Sequence, residues 1–397
     1  MKVSDRIKKM QFSPIRKLAP YSEEAESKGI KVYHLNIGQP DILTPDTFID
    51  GIKNYKDKVL KYSSSAGINQ LIESFIKYYK EWNLEFDKSE MLITNGGSEA
   101  ILFAVMAIAD EGDNILIPEP FYTNYNSFLE LASVKVNPFM TKAEEGFHLP
   151  SMDAILSKIN DRTRAILIAN PGNPTGTVYT YDEIEMLCRI ALEKNLYIIS
   201  DEVYREFVYD NLKYTSPLFF DSVRDRIILI DSISKRYSAC GARIGLLASK
   251  NREVINQALK ICQSRLCVAT IEQIAAANLI NTDKEYFVKV KKEYENRRNI
   301  MYNGLKEIPG VICEKPAGAF YIVAKLPVKD AEDFSKWLLT DFSYNNETVM
   351  VAPAAGFYAT KGLGEDEIRI SYCLKEEDLK ASVNLLKLGL EEYKKIK

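Results

Sequence analysis

Between residues 91 and 200 the chain switches repeatedly between short apolar runs and longer stretches of helical period. The runs MLIT, NILIP, VKVNPF, RAILIA and LYIIS have the length of strands, and most lack the polar alternation of a strand with one wet face. Strands buried on both sides need cover on both sides. The pattern therefore predicts an α/β fold, a mostly parallel sheet with helices packed on each face. Ligands of such sheets lie beyond the carboxyl ends of the strands.

Several residues with chemical potential fall at those ends. MLIT runs through Gly96 and Gly97 into a helix, which leaves the backbone amides of Gly97, Ser98 and Glu99 at a helix N-terminus, where the dipole favours an anion. A tight strand-to-helix turn would need glycine anyway. NILIP is followed by Phe121, Tyr122 and Tyr125, rings that could stack on a flat ligand or cap the core. RAILIA leads into NPGNPTG, which holds Asn173, and LYIIS ends at Asp201. Thr180 and Glu183 form a capping box for the helix between them.

A second signal lies at 231 to 249, DSISKRYSACGARIGLLAS, where two apolar runs flank a loop of small residues that holds Ser232, Ser234, Lys235 and Arg243. A free lysine amine has a pKa of about 10.4, and burial or a nearby cation lowers it toward a nucleophile. Arg243 cannot deprotonate, and its fork fits phosphate. A reactive lysine beside a phosphate-binding arginine suggests a cofactor with an aldehyde and a phosphate, which describes pyridoxal phosphate. The plain alternative is a surface loop with two ordinary basic residues. Gly97, Tyr122, Asn173, Asp201 and Lys235 each follow a different strand, and that coincidence argues for one site.

The 397 residues suggest a large domain with a smaller one. Lysine and arginine total 52 against 55 acids, a net charge of −3, which gives no basic field for nucleic acid or an anionic membrane. The six cysteines form no CxxC pair and there are two histidines, which argues against a zinc site or a Ser/His/Asp triad. With a polar start and no apolar run long enough to span a bilayer, the expectation is a cytoplasmic protein with reduced thiols.

Elsewhere, Pro14 and Pro20 break the first helical pieces, and LNIGQPD at 35 to 41, with Gly38, reads as an irregular crossing. Ile68, Leu71, Ile72, Phe75, Ile76 and Tyr79 repeat with helical period, and Tyr62 lies in the loop before them. Long helices are predicted at 251 to 281 and 283 to 308, the second bridging two domains. In EIRISYCL, Arg369 and Ser371 point opposite to Ile368, Ile370 and Tyr372.

Together, LNIGQPD, NPGNPTG, the Asp-x-x-Tyr of Asp201 and Tyr204, SISK with Arg243 eight residues on, and IRIS resemble the class I and II aminotransferases. The resemblance covers most of the chain. It implies fold type I: a large domain at 46 to 290 with a mixed, mostly parallel seven-stranded sheet, a smaller α/β domain at 291 to 397, and an N-terminal segment at 1 to 45 packing with the latter. It implies pyridoxal 5'-phosphate, with Lys235 forming the internal aldimine and then shuttling the substrate's α-proton. Asp201 faces the pyridine nitrogen, Asn173 and Tyr204 the ring oxygen, and Tyr122 the ring face. Gly97, Ser98, Glu99, Ser232, Ser234 and Arg243 hold the phosphate. Tyr62 reaches the phosphate of the neighbouring subunit, which implies a homodimer with shared active sites. Arg369 clamps the substrate carboxylate, Asn173 and Gly38 add contacts to the substrate, and cis peptides are expected at Glu119-Pro120 and Asn173-Pro174.

The implied activity is transfer of an amino group from an L-amino acid to a 2-oxo acid in two half-reactions. The alternatives are a carbon-sulfur lyase or related carbon lyase on the same fold, or a non-catalytic amino-acid sensor. A nicotinamide dehydrogenase lacks its GxGxxG. One aspartate-specific group places a lysine after the Gly-Gly pair, where this chain has Ser98, and tends to carry a hydroxyl residue near the place of Ile15. Unless another cation fills that gap, neutral or aromatic amino acids are expected to be accepted at least as well as aspartate.

Overall fold

The apolar runs assemble into a single large sheet in the computed structural model, which describes residues 1–396. Strand β1 (Lys31–His34) stands apart from it. The sheet comprises β2 (Met91–Asn95), β3 (Asn114–Glu119), β4 (Lys135–Met140), β5 (Thr163–Ala169), β6 (Tyr197–Asp201), β7 (Ile227–Ser232) and β8 (Ile244–Ser249). Their order is β2-β8-β7-β6-β5-β3-β4, and β8 alone runs antiparallel, to both of its neighbours. Apart from the edge strand β4, the strands are buried on both faces, as their composition predicts. Ile227 and Leu229 enter the core on one side of β7, while Ile228 and Ile230 enter the core on the other. Each such side chain removed from water contributes about 1.5–3 kcal/mol.

The helix Asn69–Glu81 buries Leu71, Ile72, Phe75 and Tyr79 as its period predicts, and Tyr78 widens the stripe. The helix Gly96–Ile108 packs against the sheet, but Met106 is exposed, so it is not enclosed all round. The capping box of the helix Tyr181–Glu193 is formed: the Thr180 hydroxyl accepts from the Glu183 N–H at 3.2 Å, and Glu183 Oε2 accepts from the Thr180 N–H at 2.7 Å.

A second core is built on β9 (Tyr321–Lys325), β10 (Glu347–Met350), β11 (Ala352–Pro353) and β12 (Glu367–Ser371). Here β11, β12 and β9 pair antiparallel, and β1 pairs parallel with β10, which ties the N-terminal segment to this part of the chain. The helix Lys284–Lys306 packs against both cores, Phe287 against the first and Tyr294, Met301 and Leu305 in the second.

Two helix readings are corrected. The stretch 251 to 281 holds two helices, Arg252–Arg265 and Thr270–Ala277, with Leu266 between them at φ 79°. No glycine or proline marks the break. The turn is held instead by Gln273, whose Nε2 donates to the Val268 carbonyl at 2.8 Å and whose Oε1 accepts from the Ile68 N–H at 2.9 Å. Pro20 does not interrupt a helix. It sits in the first turn of Ala19–Ser27, where its missing N–H has no partner to lose.

Candidate active site

Gly97, Tyr122, Asn173, Asp201 and Lys235 meet at one cavity of about 530 Å³ at the carboxyl ends of β2, β3, β5, β6 and β7. Gly38, Ser98, Tyr204, Ser232, Ser234, Arg243 and Arg369 line it too. Two expected residues do not. The Glu99 carboxylate turns away to accept from the Asn95 N–H and to pair with Arg265 at 3.3 Å. Tyr62 is exposed and outside this cavity.

Lys235 rides on the short helix Ile233–Arg236 that follows β7. Ser232 caps it, accepting from the Ser234 N–H at 3.1 Å and donating to the Ile244 carbonyl at 3.0 Å. The next residue, Arg236, turns into the core, where Nη1 lies 2.7 Å from both oxygens of buried Asp231. Tyr79 donates to the same carboxylate, so one of the two adjacent bases is committed to structure. The other reaches the cavity: Lys235 Nζ donates to the Gly38 carbonyl at 2.8 Å and lies 3.8 Å from Cys240 Sγ. Burial works against its charge, but Tyr321, Cys240 and Cys373 outweigh it, and its pKa stands above the ordinary lysine value. The chain's own groups therefore do not meet the expectation of a depressed amine.

Asp201 is buried at the end of β6, with Tyr125 donating to Oδ2 at 2.7 Å and the Val203 N–H to Oδ1 at 3.3 Å. Burial pushes its pKa up to about 6, with Asp231 and Glu202 adding to the rise and the two hydrogen bonds opposing it. Tyr204 shares a 2.9 Å hydrogen bond with Tyr321, and the Asn173 side-chain oxygen accepts from Arg369 Nη1 at 3.2 Å.

Arg369 is unlike the other buried arginines. Arg205, Arg236, Arg297 and Arg298 are buried, and each has a carboxylate partner. Arg369, 1% exposed, has none among the described residues. Its Nη2 donates to the Asn36 carbonyl at 2.5 Å, its guanidinium lies 4.5 Å from the Tyr321 ring centre, and its Nε has no partner. Burial lowers its pKa. An uncompensated buried cation costs several kcal/mol, so its place is explained by an anion that arrives from outside. Arg243 is likewise without a carboxylate among the described residues; at φ 54°, it lays its guanidinium where a Cβ on Gly96 would stand, 2.3 Å from Nη2. The charged residues lining the cavity are Arg16, Lys235, Arg243 and Arg369 against Asp201. Such a balance suits a ligand carrying several negative charges.

Sequence reasoning missed Tyr321 and the role of Tyr125, whose hydroxyls hold Tyr204 and Asp201. Tyr321 lies inside an apolar strand like a core ring, and the sequence leaves Tyr125 open between stacking on a ligand and capping the core. It also missed Gly245, where a Cβ would stand 2.3 Å from the Gly96 carbonyl carbon, so β8 can lie against the glycine turn only without a side chain. Cis peptides occur at Glu119-Pro120 and Asn173-Pro174, as expected, and also at Asn170-Pro171.

The family described as aminotransferase class I and II matches residues 30–386. A probable aspartate/prephenate aminotransferase of Aquifex aeolicus is 32% identical over 98% of this chain and 99% of its own length. An aromatic-amino-acid aminotransferase of Thermococcus litoralis is also 32% identical, over 99% and 100%. Among solved structures, an aspartate aminotransferase of Thermotoga maritima superposes with a TM-score of 0.89 at 30% identity, covering 98% of this chain and all of that one. These similarities favour neither the lyase nor the sensor. With a sheet, a cavity and a full-length likeness in agreement, the chain belongs to the class I and II aminotransferases, the pyridoxal phosphate-dependent enzymes of fold type I.

Proposed function

We propose that this cavity moves an amino group from an L-amino acid to a 2-oxo acid in two half-reactions, with pyridoxal phosphate held by the residues that line it. The carrying observation is Arg369, a buried cation without a carboxylate among the described residues, in the same cavity as a half-buried lysine and a buried acid. The donors fit the cofactor: Arg243, which has no carboxylate partner among the described residues, Ser232, Ser234 and the amides at the start of the helix Gly96–Ile108 suit a phosphate, and Tyr122 suits a flat ring. When bound, the cofactor supplies an electron sink for the bond-breaking step.

The chain's residues supply the rest. Asp201 is an acid in low-dielectric surroundings, so its anion is best satisfied by a protonated ring nitrogen opposite it. Lys235, on giving up its contact with the Gly38 carbonyl, would be the residue that anchors the cofactor, and its amine, when free, would carry the proton of the substrate's α-carbon. Arg369 receives the substrate's α-carboxylate and fixes its orientation. Tyr204 and Asn173 would offer donors to the ring oxygen.

We infer further a homodimer in which Tyr62, exposed in one protomer, reaches the phosphate site of the other. We infer a large domain at 46 to 290 and a small one at 291 to 397 with the N-terminal segment against it; Tyr204, Phe207 and Tyr209 of the former pack in the second core, and the helix Lys284–Lys306 crosses the division. The six cysteines are free, which agrees with a cytoplasmic setting, and no helix among the described residues is long and apolar enough to cross a membrane. The test is Lys235→Ala: borohydride reduction followed by mass analysis should fix the cofactor to the wild-type peptide and not to the variant. Transamination should fall by several orders of magnitude. Near-normal turnover in the variant would refute the assignment.

A further inference from the structure

Tyr321 opens β9, where it pairs with Ser371 of β12, and Tyr204 follows the end of β6, so the two residues hang from different sheets. Their hydroxyls nevertheless meet at 2.9 Å in the wall of the cavity. Both rings are buried and stand edge to face, with centres 5.7 Å apart. The place of the Tyr321 hydroxyl is also set from outside the pair. A Cβ on Gly38 would stand 1.9 Å from that oxygen, so it fills the room a side chain at 38 would need. The carbonyl of the same glycine accepts from Lys235 Nζ at 2.8 Å, and the Arg369 guanidinium lies 4.5 Å from the Tyr321 ring centre.

Neither hydroxyl has another hydrogen-bond partner among the described residues. Each carries one proton and can also accept, so the pair by itself fixes no direction. A ring oxygen in the cavity would fix it. Once Tyr204 donates its only proton to that oxygen, it can keep the bond to Tyr321 only as acceptor, and Tyr321 has to be the donor. Asn173 needs no such help, since its oxygen already accepts from Arg369 Nη1 at 3.2 Å and its amide protons are left to give. Burial, with Tyr321 adding to it, holds the Tyr204 pKa well above the ordinary tyrosine value, which keeps this phenol a donor and not an anion. A hydroxyl that accepts one hydrogen bond donates the next more strongly, because each bond polarises its neighbour where the dielectric is low. We propose that Tyr321 is a positioning residue that acts through Tyr204, committing the Tyr204 proton to the cofactor's ring oxygen and strengthening that bond. This rests on the aminotransferase reading above and adds a residue to it.

The experiment is an absorbance titration of the protein loaded with pyridoxal phosphate, which needs no turnover. A donor at the ring oxygen favours the deprotonated state, in which that oxygen keeps its negative charge to itself, so a weaker donor moves the midpoint to higher pH. Tyr321→Phe keeps the ring and removes only the hydroxyl; its midpoint should rise by about 0.4–1 pH unit, the span of one hydrogen bond. Tyr204→Phe should raise the midpoint too, and adding Tyr321→Phe to that variant should move it no further. The acid limb of the kcat/KM profile should follow the midpoint in each variant. The midpoint reports only loaded, folded molecules, so partial misfolding does not move it. A Tyr321→Phe midpoint within about 0.2 unit of the wild type overturns the proposal, as does a shift of full size in the Tyr204→Phe background, the mark of a direct action on Lys235. A wild type that forms the borohydride-reducible bond at Lys235 but whose absorbance does not move with pH overturns it as well. All three leave the aminotransferase reading standing, whereas a wild type that forms no such bond overturns both.

Discussion

Asp201→Asn should make the cofactor-free protein more stable at pH 8 while disabling the enzyme. An aspartate ordinarily ionises near pH 3.8, whereas burial holds the Asp201 carboxyl to about 6. At about 1.4 kcal/mol per pH unit, ionising it in the folded state costs about 3 kcal/mol relative to the unfolded chain. The sign is fixed by which state holds the proton more tightly. Here the folded state does, so the group favours folding below pH 3.8, and that contribution is lost as pH rises toward and through 6. Asparagine removes the charge, keeps an acceptor for the Tyr125 hydroxyl, and loses at most the long 3.3 Å contact with the Val203 N–H, about 1 kcal/mol. The variant should therefore exceed the wild type by about 2–3 kcal/mol at pH 8, with the gap closing to near zero by pH 4.5. Urea unfolding of both cofactor-free proteins across that range measures it. A variant less stable at pH 8, or a gap that does not change with pH, would show that the Asp201 charge is not under strain in the empty site. With cofactor bound, a cation opposite the carboxylate should remove the penalty, and the order of stabilities should reverse.

Two further outcomes are expected. Arg369→Lys keeps the charge but loses the planar fork, so kcat/KM should fall about a hundredfold or more for every amino acid alike, since all share the α-carboxylate; a loss confined to acidic substrates would place the clamp elsewhere. Glu183 serves the Thr180 N–H, the Leu149 N–H at 2.7 Å and His148 at 2.9 Å, so Glu183→Ala should lower stability by about 1–3 kcal/mol without changing substrate preference, as thermal unfolding and kinetics would show.

The strands were legible because burial on both faces writes them as unbroken Ile, Leu and Val, a signal independent of tertiary detail. The residues at their ends were legible for a related reason, since a parallel sheet sends successive strand ends to one edge. Tyr321 was not, because a tyrosine inside an apolar strand looks like any core ring until the partner of its hydroxyl is known. The break at Leu266 was hidden in the same way: the side chain that stabilises it, Gln273, lies in the next helix and carries no turn signal. Lys235 and Arg236 are neighbours of similar charge with opposite fates. Only the burial of Asp231 beneath the sheet decides that the arginine turns inward and the lysine out. The expected depression of the lysine pKa is not met because small neighbours in the sequence say nothing of Tyr321, Cys240 and Cys373, which surround the amine after folding.

The single reversed strand has a consequence for how this enzyme can vary. Since β8 runs against its neighbours, its entrance rather than its exit opens on the cavity, and Arg243 stands one residue before that entrance. Lys235 and Arg243, which we propose as anchor and phosphate clamp, are thereby mounted on one hairpin, their spacing ruled by the chain itself. Lengthening that hairpin by even a single residue should uncouple the two, whereas loops elsewhere around the rim are free to drift in length.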